Sequence, residues 1–119
     1  MNYVDGFVLP VKKRQLARYR RMAKQAGKVW RQHGALEFHE CVADEVPYGK
    51  RTSFPRSVKL KRGEIVVFSY IVYRSRGDRD RVMAKVMKDK RIDAMMKSKK
   101  IPFDGKRMIF GGFKTMVSA

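Results

Sequence analysis

Cysteine occurs once in this chain, at Cys41, which excludes an intrachain disulfide and makes a reducing compartment the simpler setting. Acidic residues are scarce as well, 11 against 29 Lys plus Arg, and none falls between Asp5 and Glu37. The resulting net charge of +18 attracts polyanions, although net charge by itself speaks to non-specific association and not to fold. No apolar run approaches the roughly 20 residues that span a bilayer. The start, MNYVDGFVLPVKK, has no basic stretch ahead of an apolar one, so a cytoplasmic location is expected in place of a secretory signal. Also missing are a GxxxxGKS/T phosphate loop, a GxGxxG fingerprint and a CxxC pair, which leaves nucleotide, dinucleotide and zinc-finger readings without support.

What is present centres on Glu64–Tyr73, EIVVFSYIVY. As a strand it is apolar on both faces. Val66, Phe68, Tyr70 and Val72 point one way, and Ile65, Val67, Ile71 and Tyr73 the other, with Ser69 alone breaking the second row. Such a strand is expected to be covered on both sides. A chain of 119 residues is one domain, residues 1–119, with helices enough for one cover. The second cover is therefore expected from another copy of the chain, giving a homodimer.

Around this strand the chain reads in order. Tyr3, Asp5, Phe7 and Leu9 alternate as a first strand, which Pro10 is expected to stop. From about Val11 to His33, the residues Leu16, Tyr19, Met22, Ala23, Ala26, Trp30 and His33 share one helical face, with Arg20, Lys24, Lys28 and Arg31 opposite. Gly34 suits the C-cap. Ala35–Asp44 reads as a second strand with Leu36, Phe38 and Val42 on one face and Glu37, His39 and Cys41 on the other. A long basic loop at about 45–63 follows, whose length implies a use or hidden structure, with Ser53-Phe54-Pro55 and Val58/Leu60 available to pin it. Ser75 and Asp78 make a capping box for a second helix, Val82, Met83, Val86 and Met87 facing in and Arg81, Lys85 and Lys88 facing out. A short helical piece around Ile92, Met95 and Met96, then a basic turn at Lys97–Lys100, lead to a last strand at about Lys106–Val117. Gly111-Gly112 inside it predicts a bulge or a close backbone approach.

Strand, helix, strand, strand, helix, strand is an α+β, ferredoxin-like βαββαβ order, which lays both helices on one sheet face. Two such sheets face to face form a dimeric α/β barrel with an inter-sheet cavity. The segments YVDGFV, HGALE with the following EC, TSFPR, VVFSYIVY, DRDRV and PFDGKRMIFGGF resemble the YbaA-like family of small bacterial proteins, a domain of unknown function, essentially end to end. The resemblance implies the dimeric α/β-barrel fold and carries over no activity and no catalytic residues. The chain departs from that family in its charge, so the extra Lys and Arg do not read as a family function.

Candidate sites stand beside plainer readings. Glu37, His39 and Cys41 share a strand face and are all metal-ligand types, yet the pattern falls short of a metal motif, and barrel-lining or interface residues are the expectation. Asp104 and Arg107 read first as the turn Asp104-Gly105-Lys106-Arg107 and second as polar anchors at a cavity mouth, with Ser69 on the central strand. His33 is expected to serve the last helix carbonyls. Ser53 and Ser69 lack the context of a nucleophile, and no metal or cofactor is expected. The function read from this is an uncharacterised homodimeric barrel with a small-molecule cavity. The alternatives are weak, salt-sensitive, sequence-indifferent nucleic-acid binding through Arg20, Lys24, Lys28, Arg31, Arg81, Lys85 and Lys88, and a cofactor-free oxygenase-like enzyme by fold analogy alone.

Overall fold

The computed structural model of the chain describes residues 1–98 and 101–119. Its elements are β1 (Tyr3–Lys12), α1 (Leu16–Gln32), β2 (Glu37–Val42), α2 (Phe54–Ser57), β3 (Glu64–Tyr73), α3 (Arg76–Lys88), α4 (Lys90–Lys97) and β4 (Ile109–Lys114), with a 3-10 turn at Lys13–Gln15. The strands form one antiparallel sheet in the order β2-β3-β1-β4, which is the expected ferredoxin-like arrangement. No helix among the described residues is long and apolar enough to cross a membrane.

Pro10 does not stop the first strand. It pairs with Val66 in a ladder that runs from Tyr3↔Tyr73 to Lys12↔Glu64. The Lys13 N–H donates to the Gly63 carbonyl at 2.9 Å, so odd-numbered residues of β1 bond to β3 and even-numbered ones face β4. That strand ends its pairing at Val8↔Ile109, and the proline nitrogen, which has no hydrogen to give, points where no ladder partner waits.

The helices cover the face of β3 that carries Val67, Ile71 and Tyr73. Val29, Ile71, Tyr73, Val82, Val86 and Ile92 form one cluster there, and Leu9, Val11, Tyr19, Ala23 and Val67 a second. Ser75 Oγ accepts from the Asp78 N–H at 3.0 Å, the expected cap of α3. Gly34 ends α1 with φ +118°, a conformation that favours glycine. Met87, expected inward, lies exposed, because α3 buries only the narrower stripe of Val82 and Val86; Met96 is exposed as well, since α4 turns Ile92 and Met95 toward the core. The basic turn at Lys97–Lys100 lies partly outside the described residues; Lys97 itself pairs with Asp93 at 3.0 Å.

The opposite face is covered in part by the chain's own long loop, which corrects the expectation that a second copy must supply all of that cover. The loop holds α2, whose N-cap Ser53 accepts from the Arg56 N–H at 3.1 Å. Val58 is fully buried there against Val8 and Val66, with Ala43 and Leu60 packed around them. β4 pairs without a bulge. The close approach is real: a Cβ on Gly112 would stand 2.9 Å from Cε2 of Tyr3, so only glycine lets that ring lie across the strand.

Candidate functional site

Gly34 turns the chain from the end of α1 into the edge strand β2, and between helix and strand lies a cleft of about 1020 Å³. Gly27 sets how closely they approach, since a Cβ there would meet Phe38 Cδ1 at 2.9 Å. Leu16, Ala23, Phe38, Val42 and Val67 supply apolar wall, and Arg20, Lys24, Lys28 and Arg31 edge the α1 side. Arg31 donates to the carbonyls of Ala35 and Leu36. Arg20, Lys24 and Lys28 have no ion pair among the described residues, whereas Arg81 on α3 pairs with Asp78. The four α1 cations thus flank a cleft and do not simply face away from the sheet.

Across this cleft the Tyr19 hydroxyl donates to Glu40 Oε1 at 2.6 Å. Tyr19 is a buried member of the α1 stripe, its ring set edge-on to Phe103 at 5.9 Å. Burial pushes its hydroxyl pKa well up, and the neighbouring Glu40 adds to the shift. Glu40 is exposed on the edge strand, and the partial desolvation of its carboxyl against α1 raises its pKa, with the Tyr19 hydrogen bond opposing it. Glu40 stands in the same row of β2 as Phe38 and Val42, opposite Ser69. Its parity with apolar neighbours is the signal that sequence reading passed over.

The six residues expected to line one cavity do not converge. Glu37, His39 and Cys41 share the sheet face away from the helices, as expected. His39 Nε2 meets Glu37 Oε1 at 2.9 Å and its ring stacks on Tyr70 at 4.7 Å. All three are exposed, and their edge-strand position also brings them to the rim of the α1 cleft. Ser69 is buried on the helix face. Asp104 and Arg107 sit together at the Glu64 end of β3, where Arg107 Nη2 donates to Glu64 Oε2 at 2.6 Å and Nε to Asp104 Oδ2 at 2.9 Å. Lys106 N–H also donates to Asp104 at 3.0 Å, so the turn reading of this segment holds and its ions are engaged internally. His33 reaches Asp89 Oδ2 at 2.8 Å, tying the end of α1 to the start of α4 in place of the expected carbonyl contacts. A second acid in an apolar row, Asp5, is 1% exposed beneath α3, with Arg79 Nη1 3.6 Å away. Desolvation raises its pKa and Arg79 opposes the shift.

Residues 2–105 match the family model described as protein of unknown function (DUF1428). The chain belongs to this family. It is 45% identical over 117 residues to uncharacterized protein YbaA of Escherichia coli strain K12, covering 98% of each chain, which agrees with the resemblance drawn from its motifs. Among solved structures it is similar to a NIPSNAP family protein of Agrobacterium tumefaciens, with TM-score 0.61 at 13% identity over 96% of this chain and 92% of that one. An antibiotic biosynthesis monooxygenase-like protein of Nitrosomonas europaea gives TM-score 0.62 at 10% identity, over 97% and 90%. At such identities the likeness shows the fold of this DUF1428 member and nothing of its chemistry.

Proposed function

We propose that this chain binds a small organic anion with an apolar body in the cleft between α1 and β2. The reading places the ligand on the helix side of the sheet, not in the inter-sheet cavity first expected. One observation carries it: the apolar wall of Leu16, Ala23, Phe38 and Val67 is edged by cations, and Arg20, Lys24 and Lys28 have no ion pair among the described residues. An apolar slot with a few charged groups at its margin is how small-molecule sites fix both body and head of a ligand. The test is a titration with anilinonaphthalene sulfonate, an apolar anion, followed by amide NMR. Shifts are expected at Ala23, Gly27, Phe38 and Glu40, and the double change K24E/K28E is expected to weaken binding at least ~10-fold, about 1.4 kcal/mol. Shifts scattered over the surface, or an affinity untouched by K24E/K28E, would overturn the reading. The same cations will also give weak nucleic-acid binding that fades as salt rises.

A second reading, self-association through the face away from the helices, is favoured by a different observation. Phe68, Ile109 and Phe113 stay exposed on that face, although Phe54 of the loop stacks edge-on to Phe68 at 6.0 Å and is itself exposed. Contiguous exposed aromatics of this kind mark contact surfaces. Sedimentation should find a dimer at micromolar concentration and a monomer for Phe68→Asp with Phe113→Asp; a monomeric parent protein removes the barrel.

A further inference from the structure

We propose that the same cleft is a proton-transfer site, in which Glu40 takes a proton from the carbon beside the carbonyl of a bound organic anion and Tyr19 hydrogen-bonds the enolate oxygen that forms. This inference rests on the cleft being the binding site. Within it the phenol and carboxylate come from opposite walls, Tyr19 from α1 and Glu40 from β2, and meet at 2.6 Å with apolar side chains on either side. A buried tyrosine keeps its proton and acts as a donor; Glu40, reachable from solvent on the edge strand yet partly desolvated against α1, is a somewhat stronger base than a carboxylate in water. The two groups therefore have opposite tasks ready to hand, acceptance at carbon and donation at oxygen.

The remaining charges suit one substrate class. Cations along α1 would hold a carboxylate at the margin while the apolar wall takes a side chain, which describes a 2-oxo acid with an apolar substituent. In the step itself the C–H bond next to the carbonyl breaks and its proton goes to Glu40. The electron pair moves into the new C=C bond, and the carbonyl π pair onto oxygen, where the Tyr19 hydroxyl stabilises it. Return of the proton to carbon gives exchange and its delivery to oxygen gives the enol, so atoms and electrons balance without any co-reactant. Tyr19 gives up its bond to Glu40 to serve the enolate, which leaves Glu40 a stronger acceptor at the moment it is needed.

Phenylpyruvate is the probe. Dissolved in D2O at neutral pH with the whole protein, its methylene protons should exchange at least ~100-fold faster than in buffer by proton NMR. Glu40→Gln keeps the shape and a hydrogen-bond acceptor, and should lose that acceleration while phenylpyruvate still shifts the amides of Ala23 and Phe38. Tyr19→Phe should lose most of it, again with binding kept. Exchange no faster than buffer, or equal acceleration by E40Q, would show that the pair merely ties α1 to β2; with cleft shifts from phenylpyruvate or from the naphthalene sulfonate intact, the binding reading would stand. Absence of cleft shifts from both compounds would remove the two proposals together.

Discussion

Replacing Arg107 by alanine will destabilise the fold by about 3 kcal/mol, the lower end for breaking a buried ion pair, because 14% of the Arg107 side chain still meets solvent. The guanidinium closes a fork on Glu64, Nη1 to Oε1 at 2.8 Å and Nη2 to Oε2 at 2.6 Å, and also donates to the Lys59 carbonyl at 3.0 Å. Glu64 is 5% exposed in its side chain. Without the fork it keeps, among the described residues, the Lys61 N–H at 2.7 Å and is left as a buried charge short of a partner. Urea denaturation measures the loss, and Arg107→Lys should restore less than half of it, since an ammonium cannot make the paired bonds. The pH dependence has a definite sign. Hydrogen bonds from Arg107 hold the Glu64 carboxyl below its ordinary value of 4.5, so this stabilisation is complete above that value and is lost as pH falls below it. The alanine variant should lack that portion of acid sensitivity. An unchanged urea midpoint would show that the clamp contributes nothing.

Tyr73→Ala should cost about 4 kcal/mol by emptying a fully buried aromatic site, whereas Tyr73→Phe should cost about 1 kcal/mol. Tyr73 is 0% exposed and packs with Val29, Ile71, Val82 and Val86. Its hydroxyl accepts from Trp30 Nε1 at 3.2 Å and lies 3.8 Å from Met83 Sδ. Phenylalanine keeps the ring but takes the hydroxyl away from the half-buried indole N–H and from the buried Asp5 carboxyl beside it. Thermal and urea unfolding of the two variants separates the ring from the hydroxyl; equal losses would mean that the polar contact, not the ring, holds α1 and α3 to the sheet.

Periodicity made β3 and the two long helices legible, because a strand repeats every two residues and a helix every 3.6, and burial acts on each repeat. It misled at Pro10, where the usual objection to proline in a strand vanishes once β4 proves too short to reach that nitrogen. The two-faced pattern of β3 was read correctly as two covers, but one residue row cannot say whether the second cover comes from another molecule or from a loop folding back, as Val58 and Pro55 do. The cleft was hidden for a related reason. Glu37, His39 and Cys41 drew attention as polar residues on a polar face, where water satisfies them cheaply. Glu40 and Asp5 interrupt apolar rows instead: the buried Asp5 needs a partner such as Arg79, and Glu40, although exposed, is engaged by Tyr19, both partners lying far away in sequence.

The register of β1 has a consequence for how the chain is made. Tyr3 lies against Tyr73 on one side and Lys114 on the other, so β1 is made before both strands it pairs with, some 70 and 110 residues ahead of them. Until then the apolar row of Phe7, Leu9 and Val11 has no ladder to join and must wait in a chain that is already rich in positive charge. Closure through such distant pairs is slow compared with local folding. Self-repulsion along the Lys12–Arg31 stretch, where nine of the twenty residues are Lys or Arg and none is acidic, would help keep that waiting segment from collapsing onto its neighbours too soon.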